Sequence, residues 1–402
     1  MHYSHKTFMI LCLAGTVLAF SAPAWADDAP PAIQALLDNI ARQTAVEPTY
    51  DSLKNDGGAV TITNLSLAKA SAGDEPSLNF KIAEAVFSDI AEESDGLYQI
   101  GSAKFSTMTA DVAGKDFAVK VIVPEAVTEG WYVTEIGDDA TPEEVARAGM
   151  NVARKMQIGK MTVEAKGQTF TVDSYRSSWD GDPETGAGTF DSKVTNIAIP
   201  EQAVAMLDQS GMLKQLGYAS LSFDLSGNGK TEIENGNMAI SFNGALSGRD
   251  MGAFKLGIAA ADVPVAMFGE LQKAQKEGKQ PDFNALMPRM QNVSISSLSL
   301  RFEDASLTRK ILPMIAAMQG MDEKTLIASA GPMLQLGLMQ LQDQAFAQQA
   351  AAAVNAFLSD PKSITIALTP AAPVKVSEIM TLNPAAPGEA ITKLGVSVKA
   401  ND

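Results

Sequence analysis

Apolar and polar residues alternate with a period of two over much of this chain, which is the pattern of half-buried β-strands. The clearest example runs from Leu221 to Ile258, where alternating segments are separated by apparent turns at Gly227-Asn228-Gly229 and Asn235-Gly236. One face of these segments is apolar, and the other carries Ser, Thr, Asp and Asn. This pattern predicts an antiparallel sheet with one packed side and one wet side.

Helical spacing interrupts the alternation at two places. Thr141-Pro142-Glu143-Glu144 has the form of a capping box with proline at the first helical position, and the apolar residues after it predict a helix that extends through Met156. From Ala261 the pattern becomes mainly helical. Residues 306–358 predict a helical hairpin or small bundle, kinked near Pro313 and interrupted at Gly331-Pro332.

Two internal echoes suggest a repeated architecture. The tripeptides Gln99-Ile100-Gly101, Gln157-Ile158-Gly159 and Gln215-Leu216-Gly217 recur at a spacing of 58 residues, and each opens an alternating segment. Residues 60–67 and 293–300 share a longer pattern, in which the alternation breaks at Asn64 and at Ser297. Such a break predicts a β-bulge. Chance similarity between β-forming segments is the alternative explanation for both echoes.

These patterns together predict an α+β fold, with antiparallel β-meander repeats, helices packed on one face, and a helical subdomain. We expect repeated strand-strand-helix units over residues 27–260 and a mainly helical subdomain over residues 261–360, with a strand near 293–302. C-terminal strands over residues 361–402 would complete the sheet.

The first 26 residues are typical of a secretory signal peptide. A short apolar run from Phe8 to Phe20 is followed by Ala24-Trp25-Ala26, which predicts cleavage after Ala26. Cys12 lies inside the apolar run, so it does not occupy the cleavage point as a lipidated cysteine would. No later segment is long and apolar enough to predict a transmembrane helix. A cysteine-free mature chain in an oxidising compartment indicates the bacterial periplasm.

Composition narrows the chemistry that the processed chain can perform. Both histidines and the single cysteine lie in the leader, so the mature chain would contain neither residue. Histidine- or cysteine-based catalysis and the usual zinc or haem ligands are therefore excluded. Removal of Lys6 with the leader leaves 30 basic and 47 acidic residues, a formal charge of −17. Nucleic acid is accordingly not expected as a partner.

Two sets of residues are candidate binding groups. Asp180, Asp182, Glu184 and Asp191 stand at positions 1, 3, 5 and 12 of a loop, the spacing that a Ca²⁺ loop uses, although Thr185 replaces the usual glycine. The alternative is an exposed hairpin loop without a metal. Seven methionines of the helical region could line a flexible apolar groove or fill the core. They are Met267, Met287, Met290, Met314, Met318, Met333 and Met339.

Four aromatic residues are candidates for stacking on a sugar or lining the mouth of a groove. Trp131-Tyr132 is one cluster, and Trp179 with Tyr175 is the other. The alternative is that the rings pack at the edge of a sheet.

The leader, the segments at residues 221–229 and 238–244, and the strand-turn-strand-helix units resemble Gram-negative envelope proteins of the AsmA and TamB type and DUF945-like secreted proteins. The resemblance implies a β-groove with a role in lipid homeostasis or envelope assembly. We therefore expect a periplasmic, non-enzymatic protein that binds an apolar ligand such as an acyl chain, or an envelope protein. The alternatives are a purely structural or protein-interaction module and a carboxylate-based hydrolase. No cofactor is expected apart from the candidate Ca²⁺, and the oligomeric state stays open.

Overall fold

The computed structural model describes residues 29–44, 46–71, 76–137, 139–149, 153–276, 283–383 and 386–402. The predicted signal peptide, residues 1–26, lies outside these ranges. The described strands are β1 Ser52–Asn55, β2 Ala59–Lys69, β3 Ser77–Ser94, β4 Leu97–Gly114, β5 Phe117–Thr134, β6 Ala153–Ile158, β7 Met161–Ala165, β8 Gln168–Gly181, β9 Gly188–Ile199, β10 Leu221–Glu234, β11 Asn237–Gly248, β12 Gly252–Pro264, β13 Ser294–Asp304, β14 Ser363–Leu368, β15 Val374–Lys375 and β16 Val396–Ala400.

The strands form one antiparallel sheet in the order β1-β2-β3-β4-β5-β6-β8-β9-β10-β11-β12-β13-β14-β16, with β7 beside β5 and β8, and β15 beside β13. This meander confirms the predicted α+β class. The described helices are α1 Pro31–Thr44, α2 Pro142–Gly149, α3 Glu201–Leu207, α4 Met212–Gln215, α5 Ala266–Lys276, α6 Phe283–Met290, α7 Leu307–Met318, α8 Glu323–Leu338, α9 Gln344–Ser359, α10 Val376–Met380 and α11 Pro387–Leu394. None of these helices combines the length and the apolar character needed to cross a bilayer.

Packing divides the chain into two units. The first runs to Gly188 and includes Val265–Pro281, and the second comprises Thr189–Pro264 and Asp282–Asp402. The predicted boundaries at residues 260 and 360 both fall inside the second unit. Helix α5 belongs to the first unit and α6 to α9 belong to the second, so the predicted helical subdomain is shared between the two.

The first unit has a closed core between α1 and its long strands. Helix α1 buries one apolar stripe, formed by Ala32, Ile33, Leu36, Leu37 and Ile40, and each of these residues is at most 4% exposed. The helix contacts β3, β4 and β5. These strands supply large, fully buried side chains such as Ile82, Phe87 and Phe105. The apolar face of this part of the sheet is therefore covered.

The two predicted bulges have different structures. At Ser297 the prediction is confirmed, because the pairing of β12 with β13 shifts from Ala259↔Ser297 to Ala260↔Ile295 and leaves one extra residue in β13. At Asn64 it is wrong, since β2 keeps its register with β3 on both sides. The alternation breaks there because Asn64 has a φ of 52°, a left-handed conformation that rotates the rest of the strand.

One of the two predicted glycine turns is correct. Asn235 and Gly236 connect β10 to β11 with φ values of 52° and 74°, as a two-residue hairpin requires. Gly227-Asn228-Gly229, predicted as a turn, lies inside β10 instead. A Cβ atom on Gly229 would lie 2.3 Å from the carbonyl oxygen of Ser241 and 2.7 Å from the Phe190 ring, so close packing explains this glycine.

The start of α2 agrees with the sequence prediction, but its end does not. The capping box at α2 is confirmed: the Thr141 amide donates to Glu144 Oε2 at 2.7 Å, and the Glu144 amide donates to Thr141 Oγ1 at 3.3 Å. The predicted extension to Met156 is wrong, because Met156 lies on β6 and pairs with Thr128. Cross-strand pairing overrides the helical spacing of this short segment.

The predicted interruption at Gly331-Pro332 is also wrong, since α8 continues through both residues. The Gly331 amide donates to Asn355 Oδ1 on α9 at 3.0 Å, and a side chain at Gly331 would collide with Asn355. Glycine therefore lets α8 and α9 approach closely. Pro313 lies inside α7.

The Gln-x-Gly echo does not mark equivalent positions. Gly101 lies within β4, Gly159 follows β6, and Gly217 follows α4. The three tripeptides therefore occupy a strand interior, a strand end and a helix end. Chance similarity explains this echo better than a structural repeat does.

Candidate functional site

The register of the second unit's strands aligns apolar residues in rows that cross the sheet. Leu225 of β10 lies opposite Leu246 of β11, which lies opposite Phe254 of β12. The row continues through Phe302 of β13 to Ile364 of β14. Because directly opposed residues point to the same face, one apolar surface extends over five strands.

A second apolar row lies two residues further along each strand, on the same face. Leu256 of β12 lies opposite Leu300 of β13, which lies opposite Ile366 of β14. On β10 and β11 the corresponding positions are Gly227 and Gly244, which carry no side chain. The two rows form a broad apolar floor, and the Phe242 ring lies beside both glycines, since a Cβ atom on either of them would be 3.0 Å from it.

The side chains of this floor are exposed although they are large and apolar. We define the open apolar face by the six residues that the two rows leave at least 39% exposed. These residues are Leu225 (45%), Leu246 (39%), Phe254 (51%), Leu256 (43%), Leu300 (50%) and Ile366 (46%). Contiguous exposed apolar surface of this kind commonly marks a binding site.

Exposure of the same face decreases along the strands. On β11 it falls from 39% at Leu246 to 4% at Met238, and on β13 it falls from 50% at Leu300 to 6% at Val293, the residue before that strand. Leu286 of α6 and Val374 of β15 are also buried, and these elements contact β12 and β13 respectively. The face is therefore closed towards the Asn235-Gly236 hairpin and open towards the β11–β12 hairpin.

Helix α9 covers the β14 and β16 side of the same face. Ala350 and Ala353 of α9 form a buried cluster with Val398 of β16. The Phe357 ring meets the Phe302 ring edge to face, with the two centroids 6.1 Å apart. The open apolar face is thus bounded by a helix on one side, and the helix is held there by aromatic and small apolar contacts.

The opposite face of this sheet carries a charged network. Arg301 donates to Glu303 at 2.9 Å and also contacts Asp402, while Lys255 lies 2.7 Å from Glu303. The hydrogen bonds from Lys255 and Arg301 hold the pKa of Glu303 below its usual range, and the bond from Arg301 does the same to the pKa of Asp402. This face is therefore the wet side that the alternation predicted.

The seven candidate methionines do not lie on the strands of the open apolar face. Met267 is in the first unit, and the other six are in the second. Met318, Met333 and Met339 are 78%, 68% and 66% exposed, and the other four are half-buried. The alternation between Leu221 and Ile258 is the sequence feature that could have pointed to the exposed residues on the strands. It could show that one face is apolar, but it could not show that this face is left partly uncovered.

The four acidic candidates lie in and around the loop between β8 and β9, and all four are exposed. Asp182 serves the turn: its carboxylate accepts hydrogen bonds from the Glu184 amide at 2.9 Å and from the Thr185 hydroxyl at 2.9 Å. Asp180 lies 3.4 Å from Arg154. Among the residues that the structure describes, no three His, Cys, Asp or Glu side chains form a group that could hold a metal ion. The calcium site stays a prediction.

The aromatic candidates of the first unit are mostly interior residues. Trp131, Tyr132 and Trp179 are 7%, 4% and 8% exposed. Tyr132 packs edge to face on Trp179 at 6.3 Å, and its hydroxyl accepts hydrogen bonds from Gln99 and Arg154. Tyr175 is half-buried. Packing within the sheet therefore accounts for the three buried rings.

Comparison with known proteins adds one finding. A family model described as "Uncharacterized protein" matches residues 245–401, which is fewer than half of the 402 residues. No curated protein matches the chain. The matched segment contains five of the six residues of the open apolar face, all except Leu225.

Proposed function

We propose that this protein acts in the periplasm as a non-enzymatic binder of an apolar ligand, the acyl chain of a lipid. The observation that carries the proposal is the open apolar face, where six large apolar side chains are exposed on neighbouring strands. Transfer of an acyl chain from water to this surface would bury apolar area on both partners, which is favourable in proportion to the area buried.

The dimensions of the face favour a lipid over a protein partner. Five strands at a spacing of about 4.8 Å give a width of about 19 Å. The face, together with the half-buried residues that continue it along β11 from Leu246 to Ile240, is about 20 Å long. The resulting area of about 400 Å² is half of the ~800 Å² that each partner contributes to a stable protein interface. An acyl chain reaches about 15 Å, half of a bilayer's ~30 Å core, and fits this length.

A fluorescence titration with methyl cis-parinarate tests the proposal, because this neutral acyl probe becomes brighter in an apolar site. We expect saturable binding to the full mature chain. Leu225→Ser and Leu300→Ser should each weaken binding by about tenfold, since each removes apolar contact area. Both side chains are about half exposed, so neither change leaves a core cavity.

Leu207→Ser is the matched control, because Leu207 is 68% exposed at the end of α3 and lies outside the face. It should bind as the unchanged protein does, and thermal melting should show that all three variants fold. Absence of saturable binding, or equal losses in the control and the face variants, would refute the proposal.

A further inference from the structure

We propose that a second apolar surface of this protein, on the outside of helix α8, docks onto a zwitterionic lipid bilayer. We define the outer face of α8 by four exposed residues, Pro332, Met333, Leu336 and Met339. Spacings of three and four residues place them on one side of a helix. Met339 follows directly on α8, and its backbone dihedrals remain helical. The proposal goes beyond the proposed function and does not depend on the ligand of the open apolar face.

Packing leaves this outer face uncovered. Leu334 and Leu338 of α8 contact the buried cluster that α9 forms with β16. Leu336 stands two positions from each of them, about 200° around the helix, and so points away from that cluster. Met333, Leu336 and Met339 are 68%, 70% and 66% exposed. A helix that is apolar on all sides is normally buried on all sides, so α8 lacks a partner within the described part of the chain.

Charge is almost absent from this pair of helices. Over residues 325–359 Asp343 is the one charged residue, in a chain of which 19% is charged. Asp343 caps the start of α9. Glu323 and Lys324 lie in the first turn of α8, about two turns before Pro332. The four side chains of the outer face can therefore enter the acyl region of a bilayer without taking a charge out of water.

The size of the outer face favours a bilayer over a protein partner. The 16 residues of α8 span about 24 Å, and a helix is about 10 Å wide, so its complete outer side offers about 240 Å². A stable protein interface takes ~800 Å² from each partner. A bilayer needs no matching shape, since apolar side chains enter the boundary between head groups and acyl chains. Zwitterionic lipid is expected because the outer face carries no cation for anionic head groups.

Docking through α8 would also bring lipid close to the open apolar face. Helix α8 packs on α9, and α9 bounds that face on its β14 and β16 side. The bilayer would therefore lie against the helix pair beside the proposed acyl site.

Co-sedimentation of the full mature chain with phosphatidylcholine vesicles tests the proposal. We expect saturable binding that persists in about 0.5 M salt, because salt screens charge interactions and not the burial of apolar side chains. The double variant Met333→Gln, Leu336→Gln should weaken binding by about tenfold or more, since it removes apolar area that the bilayer would bury. Glutamine has a helix propensity close to that of leucine and methionine, so α8 should be kept.

The matched control is the double variant Met206→Gln, Leu207→Gln. These residues are 55% and 68% exposed on α3 and receive the same substitutions. The control and Leu300→Ser should both bind vesicles as the unchanged protein does, and thermal melting should show that all variants fold.

Several outcomes would overturn the proposal. Vesicles that capture no protein would do so, as would equal losses in the control and the α8 variant. A lipid-free dimer in sedimentation equilibrium that dissociates in the α8 variant would also count against it, because a second copy would then cover the outer face. The parinarate titration tests the proposed function separately, so either one can fail while the other stands.

Discussion

Individual residues fix the close approaches on which this sheet depends. Gly101 of β4 lies opposite Asp89 of β3, and Asp89 has a left-handed φ of 55°. A Cβ atom on Gly101 would lie 2.6 Å from the Asp89 Cβ and 3.2 Å from its carbonyl oxygen. These atoms belong to the backbone or are attached directly to it, so they cannot move aside cheaply.

Gly101→Ala is therefore expected to destabilise the protein by about 1–3 kcal/mol, the usual range for overpacking. Urea unfolding followed by circular dichroism would measure the change. Gly58→Ala is the control, because no atom lies within 4 Å of the position of its added Cβ and Gly58 has no positive φ. Similar stability of the two variants would contradict the steric explanation.

Glu303 gives a prediction about pH. Its folded pKa is lowered by hydrogen bonds from Lys255 and Arg301, so its contribution to stability is present above its unfolded pKa of about 4.3. That contribution disappears as the pH falls through the lower folded pKa. The side chain is 36% exposed, and solvent screening limits the contribution to about 1 kcal/mol or less.

Glu303→Gln should accordingly lower the free energy of unfolding at pH 7 and flatten its dependence on pH below about pH 5. Urea titrations at pH 7, 5, 4 and 3 would measure both effects. Glu234→Gln is a control, since Glu234 is exposed at the end of β10. An unchanged acid slope in Glu303→Gln would show that other carboxylates account for it.

Among the secondary-structure elements, α9 decides how much of the second unit's apolar face is covered. Its residues Ala350, Ala353 and Phe357 pack on β14 and β16 and against Phe302. Its alanine-rich composition brings the helix axis close to the strands, because small side chains allow close approach. Among the helices that the structure describes, none buries the neighbouring rows in the same way, and their side chains remain exposed.

Phe357→Ala should destabilise the protein by about 3–4 kcal/mol, since Phe357 is 8% exposed and its removal leaves a cavity. Hydrogen exchange should accelerate first in α9, β14 and β16. Phe254→Ala removes the same ring from a residue that is 51% exposed and should have a clearly smaller effect. Comparable losses would mean that Phe254 is not an exposed surface residue in solution.

For the molecule as a whole, the leader pattern of residues 1–26 predicts export. The leader pattern predicts cleavage between Ala26 and Asp27. Intact-mass measurement on protein from the periplasmic fraction should therefore match a chain that begins at Asp27. Full-length protein recovered from the cytoplasm would contradict both cleavage and location. Because a chain that begins at Asp27 would contain no cysteine, a reductant should not change its melting temperature.

Local patterns in the sequence were sufficient for much of the fold. The capping box at Thr141, the Asn235-Gly236 hairpin and the bulge at Ser297 all depend on contacts between residues that are close along the chain or paired in one ladder. The alternation of β10 and β11 likewise identified the apolar face. In each case a short-range preference agreed with the final structure, so the pattern could be interpreted directly.

Long-range packing determined the remainder. Gly229 resembles a turn residue, but it lies in a strand because Phe190 and Ser241 leave no space for a side chain. Gly331 resembles a helix break, but α8 continues through it, and its amide donates a hydrogen bond to Asn355 on another helix. Exposure of the open apolar face depends on where α9 ends and on which strands lie beyond it. Sequence alternation records which side chains share a face, whereas coverage of that face is set by elements distant in the chain.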